Sequence, residues 1–355
     1  MRITQQMRFG VAVIAATAAL ALTFSGCSPQ QTESGSSSSE SSGDLSDIRV
    51  ALVPGGAHPY FQPWIAAGKQ AAKDFGIGEV TFNETAEWDQ TKQNDVINSL
   101  VANGYNAFGI FGVSPTDINA TFKKLADADV AVGSIASCPA GDENLAAFCL
   151  STDTEEAAYQ AAAAAIEAIG GKGTIVHMTG NNVDSNTQRR IEGVQRAIDE
   201  TGGAVTLLQT ITDVDTDLAT AQKAASDLLA ANGSEINAIV TTAYNPAVAS
   251  AEAIAESGLD IQLVAIDDDA TILDGIRDGS IYGTVAQNPT GQAYVGSWVL
   301  AQLASGNCEM AEPGVIVDSG SFVVTKDNVD SYPDEQSEFA DKVKKQFEDK
   351  LLTCK

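Results

Sequence analysis

From residue 48 onward the chain alternates short β-branched apolar runs with longer alanine-rich amphipathic ones. Runs at 48–54, 79–84, 107–111, 130–135 and 148–151 read as strands, with helices over 59–75, 88–102 and 115–128 between them. The pattern then restarts. Helices are expected over 154–169, 187–200, 218–231, 246–256 and 270–277, and strands over 174–178, 205–211, 238–242, 262–266 and 283–287. A helix at 291–303 and a strand pair near 315–325 complete the body. Strands separated by helices of this length imply parallel sheets covered on both faces. One continuous sheet would need about a dozen strands, so the economical fold class is α/β, with two doubly wound parallel-sheet lobes. The first lobe is expected over 47–153 plus 288–318 and the second over 154–287 plus 319–332, with a C-terminal helix over 333–355.

The amino terminus has a different character. Arg2 and Arg8 precede an apolar run from Phe9 to Phe24, and Ser25-Gly26-Cys27 places small residues directly before a cysteine. This order is that of a secretory signal over 1–26, and it resembles a bacterial lipoprotein signal with Cys27 as the lipidated residue, although Phe24 stands where such signals usually carry Leu. The apolar run is shorter than the ~20 residues that span a bilayer, so attachment through lipid is expected rather than a transmembrane helix. Residues 27–46 form a Ser-rich tether that cannot bury apolar surface and is expected to stay disordered.

The formal charge of −27 becomes two units more negative once the signal arginines are removed. So acidic a surface is repelled by phosphate backbones, which excludes nucleic acid as a partner, and it offers no attraction to anionic lipid beyond the anchor. Cys138, Cys149, Cys308 and Cys354 are left as an even set in an exported protein, with three possible connectivities. The expected pairs are Cys138–Cys149, bracketing a loop between two strands, and Cys308–Cys354, tying the C-terminal helix back to the body. None has metal-ligand spacing and only two histidines exist, so no metal or other cofactor is expected.

Open α/β sheets bind ligands beyond the carboxyl ends of their strands. Four loops there carry recognisable residues: His58-Pro59-Tyr60-Phe61 after the first strand, Ser114-Pro115-Thr116-Asp117, Asp267 after Leu263-Val264-Ala265-Ile266, and Gly283-Thr284-Val285-Ala286-Gln287. With these the chain resembles the type I periplasmic sugar-binding proteins of ABC importers, the ribose-binding group, from residue 48 to about residue 325. The resemblance implies two lobes joined by a multi-strand hinge and closing on a ligand. There are departures. Ala136-Ser137 stands where the family often has Asp-Arg. The family's pocket arginine falls on Gln188, Arg190 matching a second, structural arginine, and its Asn-Asp becomes Ala243-Tyr244-Asn245. Two cationic contacts are therefore expected to be missing and an aromatic gained.

A selective sugar site needs aromatic plates against C–H faces and fixed donors and acceptors for hydroxyls. Tyr60, Phe61 and Trp64 are candidate plates, against ordinary core packing. Asp267 can accept two hydroxyls, or it can cap the following helix, a task that Asp268 and Asp269 suit equally. Gln287 offers a donor and an acceptor. His58, Gln188, Asn245 and Ser137 complete the candidate set, while His177 inside an apolar strand reads as structural. No nucleophile–base set suggests itself, and Gly170-Gly171-Lys172-Gly173 lacks the ending of a P-loop, so the chain is not expected to be an enzyme. The resemblance implies an exported, monomeric receptor, lipid-anchored at the outer face of the bacterial cytoplasmic membrane or periplasmic. It would pass a sugar or polyol to an ABC permease and its ATPase. A sensory receptor with the same fold, or a binder of a non-sugar polar metabolite, are the alternatives. A DNA-binding repressor is excluded by the export signal and the absence of an N-terminal helix-turn-helix.

Overall fold

The computed structural model describes residues 44–84, 87–141 and 143–355. The expected signal, Cys27 and the tether up to residue 43 lie outside the described residues. The tether ends sooner than the Ser-rich composition suggests, because Leu45 is buried in the first core and its carbonyl accepts from the Ile48 and Gly78 amides.

The chain begins with β1 (Arg49–Val53), α1 (Pro63–Phe75), β2 (Glu79–Phe82), α2 (Gln90–Ala102), β3 (Ala107–Ile110), α3 (Ile118–Ala126), β4 (Ala131–Ile135) and β5 (Phe148–Ser151). It continues through α4 (Thr154–Ala168), β6 (Gly173–Met178), α5 (Ser185–Asp199), β7 (Val205–Ile211), α6 (Leu218–Asn232), β8 (Ala238–Thr241), α7 (Tyr244–Ser257), β9 (Gln262–Ile266), α8 (Ala270–Asp278) and β10 (Gly283–Ala286). It closes with α9 (Pro289–Ala304), β11 (Cys308–Met310), β12 (Val315–Asp318), β13 (Phe322–Thr325), α10 (Tyr332–Gln346) and β14 (Leu352–Cys354).

Two six-stranded sheets result, ordered β12-β5-β4-β3-β1-β2 and β13-β10-β9-β8-β6-β7. All pairs are parallel except β10 with β13. Central strands such as β3, β5 and β8 are buried throughout, as expected of parallel strands covered on both faces, whereas the edge strands β2 and β7 are partly exposed. Local chemistry sets the helix starts: Asp89, Asp153, Asp184, Asp217, Asp269 and Asn288 each accept a first-turn amide as N-caps. Helix α9 is apolar around most of its circumference because it is enclosed, packing on β1, β3 and β4 and between α1 and α10.

The segment near 315–325 is not a strand pair. β12 joins the first sheet beside β5 and β13 joins the second beside β10, so this stretch is a crossing between lobes. The chain also crosses after β5 and after β10, giving the multi-strand hinge. A buried network ties the three crossings together. Gln292 in α9 accepts from the Tyr60 hydroxyl at 2.8 Å and donates to Ser319 at 2.8 Å and Thr152 at 3.3 Å.

The C-terminus also departs from expectation. Helix α10 stops at Gln346, a π-helical turn follows over Phe347–Leu351, and β14 pairs antiparallel with β11. Phe347 is fully buried 5.4 Å from the Phe148 ring, which pulls the chain off the helix axis. Cys138 is bonded to Cys149 and Cys308 to Cys354. Replacing both Cys138 and Cys149 by Ser is expected to lower unfolding stability by about 2–3 kcal/mol, the loop-closure entropy of a short ring. A urea midpoint unchanged from wild type would refute this.

Candidate functional site

The carboxyl ends of both sheets face one another, so loops that follow strands converge on one cleft. A cavity of about 250 Å³ lies there, just below the ~300–1,000 Å³ usual for small-molecule pockets. From the first lobe come His58, Tyr60 and Phe61 after β1, Trp88 before α2, Phe111 after β3 and Ala136 after β4. From the second come Asp184 and Arg190 at the start of α5, Asp215 after β7, Tyr244 after β8, Asp267 after β9 and Gln287 after β10.

Of the residues expected from sequence, His58, Tyr60, Phe61, Asp267 and Gln287 line this cavity. The other four do not. Trp64 is fully buried in the first core. Ser137 is buried beneath the β4 turn, where its carbonyl accepts from the Ser134 hydroxyl. Asn245 donates to Asp215, which itself lines the cavity. Gln188 is exposed and donates to the Asn182 carbonyl. Arg190, which the resemblance implies to be structural, also lines the cavity, where it is the one lysine or arginine among the lining residues. Its Nε is buried without a hydrogen-bond partner.

Asp267 is 8 % exposed and sits at φ 81°, a left-handed turn that lifts its side chain off the end of β9. Its Oδ1 accepts from the Gln287 amide at 2.7 Å. Burial pushes this carboxyl up, to about 6, against the pull of Arg190 and the Gln287 hydrogen bond. Helix capping belongs to Asp269, which accepts from the Thr271 amide and from the Tyr244 hydroxyl, while Asp268 accepts from Tyr332. Asp184 is likewise raised by burial, opposed by Arg190. His58 Nδ1 accepts the Tyr60 amide, which leaves the Nε2 proton facing Asp215 Oδ2 across the cleft at 3.4 Å, without hydrogen-bond alignment. His177 is buried beneath the site beside Thr242, and burial drives its basicity down to about 3, with Arg190 adding to the effect.

Three rings make an aromatic wall: Phe61 and Phe111 at 5.2 Å, Phe61 and Trp88 at 6.1 Å, Trp88 and Phe111 at 5.9 Å. Trp88 was not visible as a site residue in the sequence. It lies over the Gly55-Gly56 backbone, where a Cβ on either glycine would come within 2.7 or 2.6 Å of its indole. The two glycines were the available signal. Among the described residues no group of three or more His, Cys, Asp or Glu could hold a metal, and no helix is long and apolar enough to cross a membrane.

Curated proteins give no match to this chain. Solved structures do. A sugar-binding protein of a sugar ABC transporter from Bacillus halodurans is 23 % identical, with a TM-score of 0.71 over 80 % of this chain and 99 % of its own. A carbohydrate transporter solute-binding protein from Agrobacterium radiobacter, in complex with D-arabinose, is 24 % identical, with a TM-score of 0.72 over 81 % and 97 %. A periplasmic solute-binding protein from Actinobacillus succinogenes with bound D-allose is 19 % identical, with a TM-score of 0.72 over 80 % and 100 %. Identities this low speak for a shared fold. The family model described as the periplasmic binding protein domain matches residues 50–308, most of the chain, which takes in every strand of the two sheets except β12 and β13. The chain belongs to the periplasmic binding protein domain family and has its two-lobed type I fold.

Proposed function

We propose that the protein is the extracytoplasmic solute receptor of an ABC importer, held at the membrane by a lipid on Cys27. In this reading it closes its lobes on a sugar or polyol and delivers it to a permease driven by an ATPase. The observation that carries the reading is the cavity itself. Aromatic faces from one lobe stand opposite hydrogen-bonding side chains from the other, around a volume suited to a monosaccharide. Rings of Phe61, Trp88 and Phe111 would cover C–H faces, while Asp267, Gln287 and Arg190 would take hydroxyls. D-arabinose and D-allose bound to the Agrobacterium and Actinobacillus proteins of the same fold support this choice of ligand class. The moving bodies would be residues 47–153 with 288–318 and residues 154–287 with 319–332, bending at the crossings.

Thermal-shift screening against pentoses, hexoses and polyols tests the binding half. A ligand at a hundred times its Kd adds about 2.7 kcal/mol and should raise the Tm by several degrees. A panel without a single shift would refute the sugar or polyol reading. Gene deletion tests the delivery half: uptake of the identified ligand should be lost, and a deletion that spares uptake but abolishes a response to the ligand would assign a sensory role instead.

A further inference from the structure

We infer that the C-terminal helix α10 is a strap across the hinge that limits how far the two lobes open. Of the proposal above it uses only that the lobes move. β13 lies in the second sheet, and β14 pairs with β11, whose Cys308 belongs to the first core. The chain therefore passes between the lobes a fourth time, and α10 carries it. This passage lies beyond residues 50–308, the stretch that the family model matches.

Both ends of the strap are anchored. Val329 and Tyr332 are buried in the core of the second lobe, where Asp330 pairs with Arg277 of α8 at 3.0 Å and Tyr332 donates to Asp268 at 3.1 Å. Val343, Phe347 and Leu352 are buried in the core of the first lobe, and the Cys308–Cys354 disulfide secures that end. Between the anchors the helix is fastened to the hinge itself. Gln336 donates to the Gln287 carbonyl at 2.6 Å and its own carbonyl accepts from Asn288 at 2.9 Å, where β10 passes into α9. Phe339 stacks on Phe322 with the ring planes 8° apart, and a Cβ on Gly320 would stand 2.4 Å from the Phe339 ring. Gly320 belongs to the crossing between β12 and β13, so α10 holds two of the other three crossings.

Hinges bend where loop or element-terminal residues absorb changes of φ and ψ. A hydrogen-bonded helix does not, and it fixes the distance from Tyr332 to Val343 at about 16 Å. A rotation that parts the anchors must break helical hydrogen bonds or draw Phe347 or Tyr332 out of a core. The helix is regular while the cleft is narrow, with His58 of the first lobe 3.4 Å from Asp215 of the second. Opening is therefore the motion that the strap opposes.

Pulsed electron paramagnetic resonance on the full chain without ligand tests this. Spin labels on a noncanonical amino acid are placed at the exposed Lys124 of α3 and Lys223 of α6, one in each lobe, and at Lys69 with Lys124 as a control within the first lobe. Three glycines inserted between Asp341 and Lys342 keep both anchors but give the strap up to ~10 Å of slack. The expected result is an interlobe distance distribution that extends at least about 5 Å further out than in wild type, within that slack, with the control pair unchanged. Gln336→Ala, which removes one fastening outside the cavity, should widen the distribution less, and it decides the matter if circular dichroism shows the insertion variant unfolded. Wild-type interlobe distances in the folded variants, with a spread beyond that of the control pair, would overturn the strap and leave the moving lobes and the sugar reading standing. A spread no wider than the control in every protein would overturn the strap and the moving lobes together.

Discussion

Asp267→Asn is expected to weaken ligand binding ten- to a hundredfold while Asp268→Ala leaves the affinity near wild type. The first change removes a carboxylate that is almost wholly buried and carries only one protein donor, a charge-assisted ligand contact of about 1.5–3 kcal/mol. Asn is the cleaner substitution than Ala, because at φ 81° Asn tolerates the left-handed backbone and keeps the side chain's shape. Asp268 hydrogen-bonds Tyr332, so its loss is expected to lower stability slightly without touching the cavity wall that Asp267 forms. Calorimetry on the two variants and wild type reads the difference. Equal affinities for wild type and Asp267→Asn would remove Asp267 from the binding site.

Gly193→Ala is expected to cost more than about 3 kcal/mol of folding stability, above the usual range for overpacking. Gly193 lies where α5 meets α4, and a Cβ there would stand 2.1 Å from the Glu155 carbonyl oxygen and 3.0 Å from the Tyr159 amide nitrogen. Both obstacles are backbone, so no side chain can turn aside. The helices would have to separate, against the Arg196 ion pairs to Glu155 and Glu156 that close the same seam. Because α5 also carries Asp184 and Arg190 at its start, ligand affinity should fall with the stability. Urea unfolding followed by circular dichroism measures the first effect, and a wild-type midpoint would show that the seam can yield.

The strands were the most legible part of the chain. The strands at 148–151, 205–211 and 262–266 were read to the residue, since β-branched runs bounded by polar or glycine residues leave little freedom in placing a buried parallel strand. Helix starts shifted by a few residues where the cap decides, as at Asp184. Strand β14 was illegible: Leu352-Thr353-Cys354 becomes a strand through pairing with β11 and a disulfide, both tertiary. The same distinction governs the site. His58, Phe61 and Asp267 are placed by the strand each follows, so a loop motif located them. Trp88 is placed by contact with a distant glycine turn, which no local pattern records. The motif match chose Gln188 over Arg190, yet two residues are about 200° apart around a helix. Which of the two faces the cleft depends on how α5 is rotated by its packing on α4, and that is not written locally.

Both disulfides belong to one half of the molecule. Cys138–Cys149 joins the turn after β4 to β5, and Cys308–Cys354 closes a ribbon whose residues share the first core with α9. The second lobe has no covalent cross-link among the described residues. Its resistance to local opening is expected to rest on packing, hydrogen bonds and ion pairs, without the restraint that a cross-link places on the unfolded chain. That lobe also contributes Asp184, Arg190, Asp215, Tyr244 and Asp267 to the cavity. A ligand held between the lobes would add its free energy to the half that lacks stitching as well as to the half that has it, so limited proteolysis is expected to begin in the second lobe and to slow when ligand is present.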